Sequence, residues 1–247
     1  MTRRAGRGAL SELRSFVNVD DEDFVLVLAF LVTALRPGLP CPILAPNGEQ
    51  GSAKSTLCRI LKMIIDPNKS ELKRPPRSSE DLMVMARNSY LLVFDNMSSI
   101  RDWLSDDLCS IVTGIGYSTR LFYTTFEEAI FEAQRPVVIN GIEEIGTRPD
   151  LLDRIIAITL PTIDDDAWQT EDNFWPRFEA ASPKIMGALF CKTIWARRGR
   201  QEAGPPTRGQ SPISSEDWFQ IFVGPELKLY LLTTAGHGAL HRARSTC

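Results

Sequence analysis

Histidine is almost missing from this chain, which has two in 247 residues. Cysteine occurs at Cys41, Cys58, Cys109, Cys191 and Cys247, but no two are spaced as a CxxC pair. The combination excludes a Cys/His zinc site and offers no disulfide framework, so a reducing cytoplasm is the expected setting. Long apolar runs are missing too. The longest, Phe24–Leu35, has Thr33 as its one polar member. It falls well short of the roughly 20 residues needed to cross a bilayer, reads as a buried helix, and leaves no membrane role to expect. Arg3, Arg4, Arg7 and Arg14 mark the amino end, yet no apolar stretch follows them directly, which argues against a secretory leader. Nor is there an excess of positive charge: 28 Lys and Arg stand against 31 Asp and Glu, for a net charge of −3 and a pI of about 5.6. A globally basic nucleic-acid binder is thereby excluded, though not a basic surface confined to one hairpin or to an assembled pore.

What is present is a run of alternating helix and strand signals. Residues 1–18 read as a loose basic lead-in. Asp20-Asp21-Glu22-Asp23 then supplies acidic first-turn residues for a helix that runs to about Leu35 and stops at Pro37-Gly38, closing a segment of residues 1–40. Pro42–Ala45 is a short buried strand, Ser55–Ile65 a helix ending before Pro67, and residues 66–79 a polar, proline-rich connection. Ser79–Arg87 predicts a short helix, Tyr90–Asp95 a second buried strand, and Trp103–Val112 a helix broken by Gly114-Ile115-Gly116. Thr119–Thr124 and Ala129–Gln134 alternate as two strands of a hairpin joined around Thr125–Glu128; Pro136–Asn140 and Ile155–Leu160 are further strands. Strands separated by helices predict an α/β core over residues 41–165 with a mainly parallel sheet. Phe174–Trp195 predicts one or two helices within a segment 166–197. Arg198–Gln210 is a Gly/Pro/Arg-rich linker, and the tail to Cys247 has no sustained period and is expected to be poorly ordered.

The chemistry concentrates in Gly48-Glu49-Gln50-Gly51-Ser52-Ala53-Lys54-Ser55-Thr56, which follows a strand and opens a helix. In a phosphate-binding loop, backbone N–H groups and the positive helix end face the β-phosphate. The lysine reaches β- and γ-oxygens and the hydroxyl ligates magnesium. Gly48 and Gly51 suit the close backbone approach, Lys54 the phosphates and Ser55 the metal, so ATP with Mg2+ is the expected ligand. Ala53 departs from the usual glycine before the lysine, which is harmless near helical geometry and costly if φ must be positive. Asp95 closes an apolar strand and fits a Walker B carboxylate acting on magnesium through water; the competing reading is a cap for the next helix. Asn96 follows where many ATPases place a glutamate. Its amide orients a water but takes no proton, so the base is unidentified, with Glu143 and Glu144 as candidates. Asn140 ends a strand and suits positioning of the γ-phosphate or water, or else makes a turn with Gly141. Arg154 fits an arginine finger for a neighbouring subunit, or an ion pair with Asp150 or Asp153.

The order of glycine loop, Asp95 strand, hairpin, Asn140 strand and Leu-Leu-Asp-Arg154 resembles the AAA+ ATPases, in their superfamily 3 helicase-like branch found beside primases in phages and mobile elements. From Asp20-Asp21-Glu22-Asp23-Phe24 through Phe94-Asp95-Asn96 to Asn140-Gly141-Ile142 and Arg148-Pro-Asp-Leu, the chain is similar to bacterial mobile-element ATP-binding proteins. The resemblance covers residues 16–190. It implies a P-loop NTPase fold with sheet order 5-1-4-3-2, a β-hairpin insertion and helical flanks. Lys54 and Ser55 become phosphate and magnesium ligands, Asp95 Walker B, Asn140 sensor 1 and Arg154 the finger. A homo-oligomeric ring or filament would grip single-stranded DNA through the hairpin, with Arg120 as the basic candidate and a primase as a partner. Arg120 is equally readable as a solvated strand-edge charge. Ala53 and the tail after Arg197 depart from the family pattern. The function expected is that of a replication accessory motor; a weakly hydrolysing switch or scaffold competes, and a small-molecule P-loop kinase lacks an arginine-rich lid here.

Overall fold

The computed structural model describes residues 10–68, 72–114, 117–120, 128–131, 134–141, 148–164, 166 and 168–203. In chain order, α1 is helical over residues 10–14 and is followed by α2 (Asp21–Ala34), β1 (Ile43–Asn47), α3 (Lys54–Ile65) and α4 (Ser79–Asn88). Then come β2 (Leu92–Phe94), α5 (Asp102–Thr113), β3 (Tyr117–Arg120), β4 (Glu128–Phe131), β5 (Val137–Ile139), α6 (Pro149–Leu152), β6 (Ile155–Thr159) and α7 (Glu171–Ala203). Helix starts follow local chemistry. Asp20 caps α2 by accepting the Asp23 N–H, and Ser78 caps α4 by accepting the Asp81 N–H. Gly114, at φ 78°, ends α5 in the left-handed geometry that favours glycine.

The strands β2-β5-β1-β6 form one parallel sheet. Because successive strand residues point to opposite faces, each short apolar run feeds two cores. Leu44, Val93 and Val138 enter one core, with α2, α3 and α7; Ile43, Leu92, Phe94, Val137 and Ile139 enter the other, with α4 and α5. The result is a sheet covered by helices on both sides. α2 is apolar nearly all round and is sandwiched among α3, α7 and β6. Phe30 from α2 and Phe178 from α7, both fully buried, contribute about 1.5–3 kcal/mol apiece to that packing.

The implied 5-1-4-3-2 order is met at four positions by β6-β1-β5-β2. At the fifth, Lys73 is the one described residue that makes a parallel bridge beside Phe94: its N–H reaches the Val93 carbonyl at 2.9 Å and its carbonyl takes the Asp95 N–H at 3.0 Å. The connection over 66–79 is therefore not only a loop. Prolines on its carboxyl side, Pro75 and Pro76, lack the N–H that would extend the ladder. The hairpin forms as an antiparallel β3–β4 pair with Tyr117 opposite Phe131 and Arg120 opposite Glu128. Its strands start earlier than expected, at Tyr117 and Glu128; of the expected joint over Thr125–Glu128, Glu128 belongs to β4 and the rest lies outside the described residues.

Two boundaries move. The lead-in is not loose where it is described: Leu10, Leu13, Phe16 and Val17 are buried in the first core, among α7 aromatics that stack edge-on against Phe16. Interspersed charges hide these residues from any periodicity test, and only α7 reveals what they cover. The expected one or two helices over Phe174–Trp195 are a single element, α7, despite Pro176 and Pro183 inside it. It continues to Ala203, past the linker start expected at Arg198. The tail from residue 204 lies outside the described residues.

Candidate functional site

All four sheet strands run parallel, so their carboxyl ends share one edge, and the loops leaving β1, β2 and β5 converge there. At Gly48 a Cβ would lie 2.5 Å from the Leu160 carbonyl oxygen and 2.7 Å from Ser52 Oγ, so only glycine fits where the loop crosses the exit of β6. Gly51 is needed for its φ of +84° alone. Ser52 closes the turn through its N–H and hydroxyl, both donating to the Glu49 carbonyl. Ala53 sits at φ 65°, ψ 31°, in the left-handed region, immediately before α3. The costly alternative for this alanine is thus the one realised, at about 1–2 kcal/mol. Asn96, at φ 56°, is the other non-glycine residue with positive φ among those described, and it borders the same site.

Side chains from the loop, β2 and β5 converge at this edge. Lys54 Nζ donates to the carbonyl oxygens of Gly48 (2.6 Å) and Glu49 (2.7 Å). Ser55 Oγ lies 3.4 Å from both Asp95 carboxylate oxygens and 3.4 Å from Asn140 Nδ2. Asn140 Nδ2 also donates to Asp95 Oδ1, while its own Oδ1 is buried with no hydrogen-bond partner. Asp95 is not a helix cap, since α5 begins only at Asp102 with Arg101 as its N-cap residue. Asn140 turns its amide into this cluster, and Gly141 makes the close backbone passage beside it. Gly141 (φ +101°) lets the backbone pass Asn96 at a distance where a Cβ would be 2.8 Å from its Cα. The Asn140 carbonyl also accepts the Met97 N–H at 2.9 Å. Asn96 itself is exposed at the rim, beside a cleft of about 510 Å³ that it shares with Asp95, Leu72, Lys73, Arg74 and Pro75. Behind the loop, burial and the Asp95 charge push the Cys58 thiol far up, so it stays protonated.

Two expected residues are not in this cluster. The Arg154 carbonyl accepts the Ile43 N–H, which puts Arg154 at the amino end of β1 and β6. The length of β6, roughly 16 Å for five residues, separates it from the carboxyl edge of its own sheet. Its guanidinium donates to the Asp150 carbonyl oxygen and not to a carboxylate of Asp150 or Asp153. Arg120 ends the separate β3–β4 ladder. Glu143 and Glu144 lie outside the described residues. Conversely, Asn18 had no sequence signal, yet its Nδ2 bridges the Ser52 carbonyl of the loop (3.1 Å) and the Pro161 carbonyl after β6 (2.6 Å). Thr162 Oγ1, 3.5 Å from Glu49 Oε2, extends that bridge.

Among the described residues no group of three or more His, Cys, Asp or Glu converges to hold a metal by itself. The oxygens of Ser55 and Asp95 fit a hard cation that takes its remaining ligands from water and phosphate, the usual pattern for magnesium. Among the described residues, too, no helix is long and apolar enough to cross a membrane.

Two solved structures align with this chain. The apo NrS-1 C-terminal region aligns with 95% of this chain and 52% of its own at a TM-score of 0.53 and 14% identity, so this chain spans about half its length. The JCV helicase aligns with 100% of this chain and 66% of its own at a TM-score of 0.47 and 12% identity. No curated protein matches. The first likeness agrees with the sheet order and glycine loop in giving an α/β P-loop NTPase fold. The sequence family described as actinomycete integrative conjugative element replication protein matches residues 8–209, most of the chain, so the mobile-element resemblance holds and this protein belongs to that replication family.

Proposed function

We propose that this chain binds ATP with magnesium at the carboxyl edge of its sheet and hydrolyses it as one subunit of a helicase-like replication assembly on single-stranded DNA. The observation that carries the reading is the meeting of Lys54, Ser55, Asp95 and Asn140 at the mouth of a glycine loop. Lys54 exchanges the Gly48 and Glu49 carbonyls for β- and γ-phosphate oxygens. Ser55 and Asp95 hold magnesium, which when bound neutralises charge developing on the phosphates. Asn140 orients the γ-phosphate or the attacking water with the amide oxygen that has no protein partner. Arg154, remote from its own site, serves the site of a second copy, and the hairpin bearing Arg120 contacts DNA. A primase is the partner expected beside such a motor.

A second reading, an ATP-dependent switch that hydrolyses slowly, is favoured by Asn96, whose amide occupies the rim where a base would stand. ATPase rate with and without single-stranded DNA, on protein whose mass in solution is measured, separates the two. The motor requires assembly and stimulated turnover; a monomer binding ATP without turnover leaves the switch. Lys54→Ala should abolish ATP binding while the fold persists, and unchanged ATP affinity would refute both readings.

A further inference from the structure

A chain of polar contacts leads from α5 to Arg154. Asp106 Oδ1 lies 2.9 Å from Arg148 Nη2, and Arg148 Nε lies 3.6 Å from Asp150 Oδ1. The carbonyl oxygen of the same Asp150 accepts from the Arg154 guanidinium and, at 3.7 Å, from the Cys109 thiol. Asp106 and Cys109 lie three apart on α5, so one helix face holds Arg148, the N-cap residue of α6, through Asp106 and the Asp150 carbonyl through Cys109. α6 is a four-residue turn opened by Pro149, too short to keep its own shape in isolation. Buried Leu151 anchors it, while Leu152 beside it is 42% exposed. Exposed ion pairs contribute little to stability, and Asp106 and Arg148 are 57% and 38% exposed. Fold stability therefore gives no adequate reason for this network. Aim does, because Arg154 leaves the turn that the network holds.

We propose that Asp106 is a positioning residue: it holds Arg148, Arg148 holds the Asp150 carboxylate, and the Asp150 carbonyl aims Arg154 out of the subunit toward a second copy's nucleotide site. The inference rests on the reading of Arg154 as acting across a subunit boundary, and it adds a direction: Asp106 matters only in the subunit that donates the arginine.

Mixed assemblies of the full chain test it. Lys54→Ala subunits keep Arg154 and Arg154→Ala subunits keep the nucleotide site, so mixing the two should recover ATPase activity that neither has alone. Asp106→Ala placed in the Lys54→Ala subunit should cut the recovered turnover by about 10-fold or more, since small misplacements near chemistry are costly, with KM for ATP unchanged. Placed instead in the Arg154→Ala subunit it should leave recovery as it was, and Asp106→Glu in the donor should restore part of the loss. Equal loss in both arrangements would make Asp106 a fold residue and overturn the proposal, as would no loss in either. If the parent mixture recovers nothing although the subunits assemble, the reading of Arg154 fails first and the proposal falls with it.

Discussion

The two ends of the α3–β2 pair each carry an aspartate, and they are treated oppositely. At the amino edge of the sheet Asp66 accepts from Lys62 Nζ (2.7 Å), from the N–H groups of Tyr90 (2.8 Å) and Leu91 (3.1 Å), and from Asn68 (3.2 Å). Lys62, whose side chain is 2% exposed, also donates to the Leu91 carbonyl. At the carboxyl edge Asp95 has the Asn140 amide and the long 3.4 Å approach of Ser55, and the Asn140 amide oxygen has nothing. A carboxylate whose Oδ2 takes donors from helix, strand and loop together fastens a helix to a strand. One left short of donors, beside two strained residues, has capacity for a ligand.

Breaking each end in turn should give different kinds of loss. Asp95→Asn keeps shape but removes the charge: we expect turnover to fall by about 10²-fold or more, as for loss of an electrostatic contact to the transition state. Its melting temperature should stay within the error of wild type. A large drop in thermal stability instead would mean that the Asp95 contacts hold the fold. Asp66→Ala should do the reverse. Removing one partner strands a buried ammonium, and breaking such a pair costs about 3–5 kcal/mol; chemical denaturation should report that loss, with ATP affinity retained in the folded fraction.

Acid sharpens the contrast. Burial alone would raise the Asp66 carboxyl, but the Lys62 hydrogen bond and charge and the Leu91 and Tyr90 N–H groups outweigh it, holding it below the ordinary range. A carboxyl whose folded pKa is depressed lends stability that is fully present above its unfolded value, near 3.9. That stability is lost as pH falls through the folded value. Wild type should therefore lose more stability between about pH 5 and pH 3 than Asp66→Asn does, and parallel losses would remove Asp66 from the account. The smallest effect is expected at Ala53. Glycine there relieves left-handed strain, so Ala53→Gly should stabilise the folded chain by about 1 kcal/mol without weakening ATP binding. A clear loss of affinity would show that the methyl is used in the loop.

Much of this was legible because it is local. A glycine loop between an apolar strand and a helix, Asp95 ending one buried strand and Asn140 ending another, are patterns within a few residues each, and the parallel sheet brings their ends together as expected. Ala53 shows the limit: its identity was plain, but whether its methyl is harmless depends on a φ angle that the path from β1 to α3 dictates. Lys73 reads as loop because the single bridge it makes needs Phe94 beside it. Asn18 reads as nothing, since its partners, Ser52 and Pro161, are remote in sequence.

The sequence by itself determined the glycine loop between a strand and a helix, the strands and helices with strong period, and the lack of any membrane-length apolar run, because each depends on neighbours along the chain. Only the tertiary structure decided which face each strand residue feeds, that residues 10–17 belong to the core, and that Asp66 gathers four donors while Asp95 is left with the Asn140 amide and the long approach of Ser55. It also decided that Arg154 stands at the far edge of its own sheet, tied through Asp150 and Arg148 to Asp106. Those are facts about distances between segments far apart in the chain, which closure of the parallel sheet sets and no local pattern encodes.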